Sequence, residues 1–223
     1  MQIQINIQAA CMPTPPARAP RSNRERTDAT RQALMDAARA LFVERGYGDT
    51  STPDVSAAAG TTRGALYHHF ADKRDLFRHV LLREAEAVAG EIEAASPAAL
   101  PPDQALIAGA EAYLRAMTSP GRTRLLLIEG PAALGHAEID AIDRRHAADS
   151  LRQGLSAAMD PAPAPIDALA ALLSAAFDRA ALEIDAGADP ARVRAAMLWL
   201  IRRTLPPEAS NTTPKPSKRG TKR

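Results

Sequence analysis

Ser51-Thr-Pro-Asp-Val-Ser-Ala-Ala-Ala-Gly60-Thr-Thr-Arg-Gly-Ala-Leu-Tyr-His-His-Phe70-Ala-Asp-Lys73 is the stretch whose reading decides the fold. It reads as two short helices around a turn. Ser51 or Thr52 caps the first, and Pro53 stands in its first turn, where a missing N–H costs nothing. Val55, Ala58 and Ala59 supply its inner face until Gly60 turns the chain. Thr61 or Thr62 caps the second helix, which keeps Leu66 and Phe70 on one side. A step of about 100° per residue then turns Gly64 and His68 to the far side, with Ala65 and Tyr67 flanking them. That outer face carries what a major groove meets. Arg63 reaches bases or phosphates, Gly64 and Ala65 let the backbone approach closely, and Tyr67 and His68 offer donors and flat surfaces. Thr52 and Lys73, each at the mouth of a helix, suit phosphates through a hydroxyl and a charge. Taken singly, Tyr67 is as readily a packing residue, and His68 and His69 surface imidazoles. Their combination points to DNA.

Outward from this stretch almost everything reads as helix. Ala is abundant, aromatics make up 4%, and β-branched residues rarely alternate, so the fold class is all-α. A first helix begins near Thr27 or Asp28 and places Leu34, Ala37, Ala38, Leu41 and Phe42 on one stripe; Gly46 stops it. Asp72 caps a fourth helix with Asp75 in its first turn, and Leu76, Val80 and Ala87 run along its inner stripe until Pro97, Pro101 and Pro102 end it. Beyond lie apolar segments at Ala105 to Met117, Leu125 to Ile128, Ile139 to Leu155, Ile166 to Ile184 and Val193 to Leu205. Pro120, Gly130-Pro131, Pro161 to Pro165 and Gly187 to Pro190 separate them into five helices.

Composition bounds what the chain does. With 28 Lys plus Arg against 26 Asp plus Glu, the net charge of +2 says nothing for nucleic acid, so such a reading rests on where the basic residues sit. The single Cys11 excludes an intrachain disulfide and a cysteine-built metal cluster. Met1 to Ala10 lack the basic and apolar regions of a signal peptide, and no apolar run is long enough to span a membrane, so we expect a cytoplasmic protein. Residues 1–26 and 206–223, rich in proline and basic residues, are expected to be disordered; the second tail is either a solvated end or a weak attractor of DNA phosphates. A metal site from His68, His69 and His79 is poor, because neighbouring helical side chains diverge. There is no phosphate-cradling glycine loop and no nucleophile elbow, so neither enzyme nor cofactor is expected.

The first helix followed by Glu44-Arg-Gly-Tyr47, Asp54-Val55, Ala59-Gly60, Gly64-Ala-Leu-Tyr-His-His-Phe70, Lys73 and Leu76 resembles the N-terminal domain of tetracycline-repressor (TetR) family regulators. The resemblance spans roughly 28 to 80. It implies a helix-turn-helix DNA-binding domain over 27–88, joined by helix 4 to a helical effector-binding and dimerisation domain over 89–205. The DNA contacts it implies are Thr52, Pro53, Thr62, Arg63, Gly64, Ala65, Tyr67, His68 and Lys73. Thr61, Pro53 and Ser56 depart from the family's usual residues, so no relative's operator sequence transfers. Leu125-Leu-Leu-Ile-Glu-Gly-Pro-Ala-Ala-Leu-Gly135 with Ile139 to Asp143 resembles a regulatory-domain motif of the same family, with His136 where an aromatic often stands.

The resemblance further implies a homodimer through the last two helices, double-stranded operator DNA as partner, and release by a small-molecule effector. The residues are compatible. Ala168, Leu169, Leu172, Leu173, Ala176, Phe177 and Ala180 form one broad face, and Val193, Met197, Leu198, Leu200 and Ile201 another, unless both serve only the intrachain core. Tyr113, Met117, Leu127, His136 and Phe177 are candidates to line an effector pocket, or are plain core. A transcriptional activator on the same fold and a helical protein-interaction module are the alternatives.

Overall fold

The computed structural model describes residues 22–97, 99–159, 162 and 164–205; both expected tails, apart from residues 22–26, lie outside them. Among the described residues there are helices and no strands. α1 (Asn23–Asp49) starts earlier than expected. Ser22 forms a capping box with Glu25: its Oγ accepts from the Glu25 amide at 3.2 Å, and the Glu25 carboxylate accepts from the Ser22 amide at 2.7 Å. This closed pair wins over the later candidates Thr27 and Asp28, whose hydroxyl and carboxylate stay on the exposed face. Residues 23–26 are therefore helix and not part of a disordered extension. Gly46 breaks α1 as the sequence required, at φ 84°.

Three short or long helices follow, each on a side-chain cap. α2 (Thr52–Ala58) is capped by Ser51, α3 (Arg63–His69) by Thr62 and α4 (Lys73–Ala95) by Asp72. α4 buries Leu76, Phe77, Val80, Leu81, Ala85, Val88, Ala89 and Ile92, a stripe advancing by fours. Ala87 is exposed, contrary to the expected stripe, because over two turns the packed face drifts away from it towards Val88.

α1, α2, α3 and the first half of α4 enclose one core around Phe42, Val55, Leu66, Phe70 and Phe77, all but inaccessible to water. Leu125 and Leu134, from beyond the expected boundary at 88, belong to the same core. The boundary is thus not a seam.

The second half departs from the expected five helices. α5 (Pro102–Met117) is as read, but Gly130-Pro131 does not interrupt the chain. α6 (Arg122–Arg124) passes through a π-helical turn, Leu125–Glu129, into α7 (Gly130–Leu134). The wider turn pairs the Gly130 amide with the Leu125 carbonyl, so that the absent N–H of Pro131 falls at a reset of the hydrogen-bond ladder. Gly130 also fits a close approach: a Cβ there would stand 3.0 Å from the Leu125 carbonyl and from Ile139, so a larger residue would make its neighbours shift. The break comes instead at Gly135, with φ 87°. The expected single helix over Ile139–Leu155 is two, α8 (His136–Asp143) and α9 (Ala147–Ala158), parted at His146. α10 (Ile166–Asp185) and α11 (Pro190–Thr204) complete a second core with α5 and α9, around Leu106, Leu155, Phe177 and Ile201.

Charged side chains lock the two halves together. Glu84, 5% exposed on α4, accepts from Arg39 of α1 at 2.7 Å and from Arg122 of α6 at 2.9 Å. Burial raises its proton affinity, but the two guanidiniums outweigh it and hold the carboxyl below its ordinary range. Arg122 also reaches Glu91 and the Ala116 carbonyl. Glu129 accepts from the Tyr47 amide at 3.1 Å beside the Gly46 break and pairs with Arg124 at 2.8 Å.

Candidate DNA interface and effector cavity

The outward face of α3 is as the helical step demanded. Leu66 and Phe70 are buried at 0% and 2% exposure, whereas Thr62, Arg63, Gly64, Tyr67 and His68 are exposed and Ala65 is half-buried. The face is organised before any DNA arrives. Tyr67 Oη lies 3.1 Å from Thr52 Oγ1 across the turn, and the Arg63 guanidinium stands over the Tyr67 ring at 5.9 Å. Its hydrogen bond to Thr52, and then the neighbouring Arg63, lower the proton affinity of the phenol and make it a better donor. Thr52, Arg63 and Tyr67 therefore form one unit joining the mouths of both helices. Pro53 is exposed at the second position of α2 and offers only its ring.

Lys73 stands at the start of α4, as read, and bonds within the chain. Its ammonium donates to the carbonyls of Tyr47 at 2.9 Å, Gly48 at 3.4 Å and Thr50 at 3.0 Å, and lies 4.3 Å from the centre of the Tyr47 ring. These carbonyls are freed where Gly46 ends the regular turns of α1. Lys73 thus joins α4 to the segment entering α2.

At the far end of α4 a cavity of about 660 Å³ opens between α4, α5, α9 and α10. Of the expected lining residues, Tyr113 and Phe177 are in its wall, their rings edge-on at 5.4 Å. Met117 and Leu127 line a second, smaller cavity of about 80 Å³, to which Tyr113 also belongs. His136 lines neither and is exposed, because the chain turns at Gly135 and starts α8 with that imidazole outward. His146, at the break between α8 and α9, lines both. Sequence reasoning missed it because the break was read as continuous helix.

The last two helices divide their apolar residues. Leu173, Phe177, Ala180, Met197, Leu198 and Ile201 are spent on the intrachain core. Leu172 and Trp199 are left 72% and 58% exposed, with exposed alanines at 171, 175, 195 and 196 around them. Among the described residues no group of three His, Cys, Asp or Glu side chains is placed to hold a metal ion, and no helix is long and apolar enough to cross a membrane.

Comparison with known proteins follows the same division. Residues 34–80 match a family described as bacterial regulatory proteins, tetR family, and residues 104–206 match a tetracyclin repressor-like C-terminal domain. The crystal structure of a TetR-family transcriptional regulator from Pectobacterium atrosepticum is 33% identical, superposes with a TM-score of 0.65, and aligns over 83% of this chain and 98% of that one. A helix-turn-helix transcriptional repressor of Mycobacterium tuberculosis is 28% identical over 83% of this chain and 98% of its own length. The regulator AcrR of Shigella flexneri is 40% identical over 83 residues, 37% of this chain, and the chain spans only 38% of the length of that relative.

Proposed function

We propose that this chain, which belongs to the TetR family of transcriptional regulators, is a dimeric repressor that binds a palindromic operator and is released from it by a small-molecule effector. The observation that carries the reading is the Thr52–Tyr67–Arg63 unit, exposed and pre-ordered on the two helices that a major groove would accept. Around it Thr62, Gly64, Ala65 and His68 form the remaining contact surface, with Pro53 at its edge. Arg63 and Tyr67 are assigned to base and phosphate contacts, and Thr52 to a phosphate or to holding Tyr67. Lys73 acts from behind, fixing the distance between α4 and the reader.

A single reader binds weakly; two at a fixed spacing bind far more tightly, which makes the exposed Leu172 and Trp199 faces the proposed dimer surface. Cytoplasmic location follows from the same partner. Switching runs along α4. Its last turns, with Ala89 and Ile92, form a wall of the larger cavity, and its first turn holds the reader through Lys73. An effector preferring the arrangement in which α4 is displaced lowers DNA affinity by the factor by which DNA lowers effector affinity. Selection on random duplex DNA tests the reading. A palindromic sequence with half-sites about one helical turn apart should emerge, and Tyr67→Ala should weaken that complex about a hundredfold while leaving the circular dichroism spectrum unchanged. Recovery of no preferred sequence by the wild-type protein overturns it.

A further inference from the structure

The two cavities beside α5 differ in chemistry. The larger has an apolar wall of Ile92, Leu106, Ala110, Leu151 and Phe177, with Glu93, Arg145 and Asp149 also lining it. The smaller carries Asp140, Asp143 and Asp178 in its wall, and the two share Tyr113, His146 and Ala147. A space of about 80 Å³ holds a group of a few heavy atoms, since a water occupies about 30 Å³.

The carboxylates there are unlike others in the protein that are held away from water. Glu84, Glu129 and Glu138 each hold at least one guanidinium. Asp143 and Asp178, both half-buried, have only hydrogen bonds: Ser174 donates to Asp143 at 3.3 Å and Tyr113 to Asp178 at 2.6 Å. Among the described residues no lysine or arginine pairs with either; burial raises both carboxyls and Asp140 raises them further. His146 lines both cavities, and Arg145 beside it lines only the larger. α4 and the π turn add Leu81, Ala85, Leu126 and Leu127 to the smaller cavity, and α5 adds Tyr113 and Met117, none of them a cation. Three carboxylates thus line the smaller cavity, and the Tyr113 ring is common to its wall and that of the larger one.

We propose that the effector is an amphipathic amine, its apolar body in the larger cavity and its protonated nitrogen in the smaller, beside Asp143 and Asp178. This rests on the reading of the larger cavity as the effector site. A cation supplies the charge that the carboxylates lack; a neutral molecule of the same shape leaves them uncompensated, and an anion is repelled.

Titration calorimetry of the full chain at pH 7.5 with n-decylammonium, n-decanol and n-decanoate, all below micellar concentrations, tests the proposal. The ammonium should bind about tenfold tighter than the alcohol, with decanoate weakest. The double variant Asp143→Asn/Asp178→Asn should bring ammonium and alcohol to about the same affinity without changing the alcohol. Ala110→Phe, or Ala157→Trp at the cavity rim should the first not fold, should weaken all three. If the probes bind and the filling variants block them, but alcohol or decanoate binds as tightly as the ammonium, the charge assignment is overturned and the cavity remains the site. If none binds, or filling changes nothing, the effector-site reading fails and takes the proposal with it.

Discussion

At its first two turns α4 is cross-linked by charged side chains, whereas its last two turns are held by apolar packing on α5 and border a cavity. The first end holds Lys73 on three carbonyls, Arg74 on the Leu134 carbonyl and on Glu138, and Arg78 on Glu138 as well. The other end presents Ala89 and Ile92 to a cavity of about 660 Å³. A rod clamped by charges at one end and packed on α5 beside a cavity at the other transmits a displacement instead of absorbing it, because packed interfaces shift between discrete arrangements. Midway, the Arg39–Glu84–Arg122 group ties α1, α4 and α6 together and is the natural fulcrum.

The contrast can be broken most severely at that fulcrum. Arg122→Ala leaves Glu84 buried with half its counter-charge, and chemical denaturation should report a loss of about 3–5 kcal/mol. An unchanged midpoint would mean that the halves are held together by apolar packing alone.

At the cavity end the sign reverses. Asp178 is held at about 6 in the folded protein, above a carboxylate's ordinary value, so the folded state binds more protons than the unfolded state. Its ionisation therefore removes stability as pH rises from about 4 to about 6. Asp178→Asn should raise stability by about 1–2 kcal/mol at pH 7.5, and the gain should vanish near pH 4. Thermal melts of both proteins across that range measure it; a gain that persists at pH 4 would assign the effect to packing.

Lys73 sharpens the contrast at the reader. Lys73→Met should lower stability by about 1 kcal/mol and weaken DNA binding, yet leave the slope of log affinity against log salt as it was. A slope reduced by about 0.9 would restore Lys73 as a phosphate contact. The smallest expected effect is at His136, where His136→Ala should leave the affinity of every cavity ligand unchanged; a weakened ligand would place the effector elsewhere.

How far the sequence carried depended on the range of the interaction deciding each residue. The reader was legible because its determinants are local: Ser51, Thr62 and Asp72 cap their own helices, and the helical step alone separates Leu66 from Tyr67 and His68. Arg63, Gly64 and Ala65 were placed by the same step. The start of α1 was missed although its signal is local, since the Ser22–Glu25 box sits in a stretch whose arginines and asparagine looked like tail. Elsewhere the deciding partner is remote. Lys73 turns inward to a loop 23 to 26 residues away, and Gly130-Pro131 continues a helix because a wider turn can absorb the missing donor. The cavity followed this pattern: Tyr113 and Phe177 line it, Met117 and Leu127 line its smaller neighbour, and His146, not His136, lies in the walls of both.

Glu129 has a bearing on how such regulators can be recombined. Its carboxylate accepts the Tyr47 amide just where Gly46 opens α1, and Leu125 and Leu134 from the same segment complete the core beneath α1 and α4. A chimera that grafts residues 22–95 onto a foreign sensor would expose that core and strip the Tyr47 amide of its acceptor. The transferable cassette is discontinuous: it is the reader together with Arg122–Leu134, and a graft point chosen at the end of α4 cuts through it.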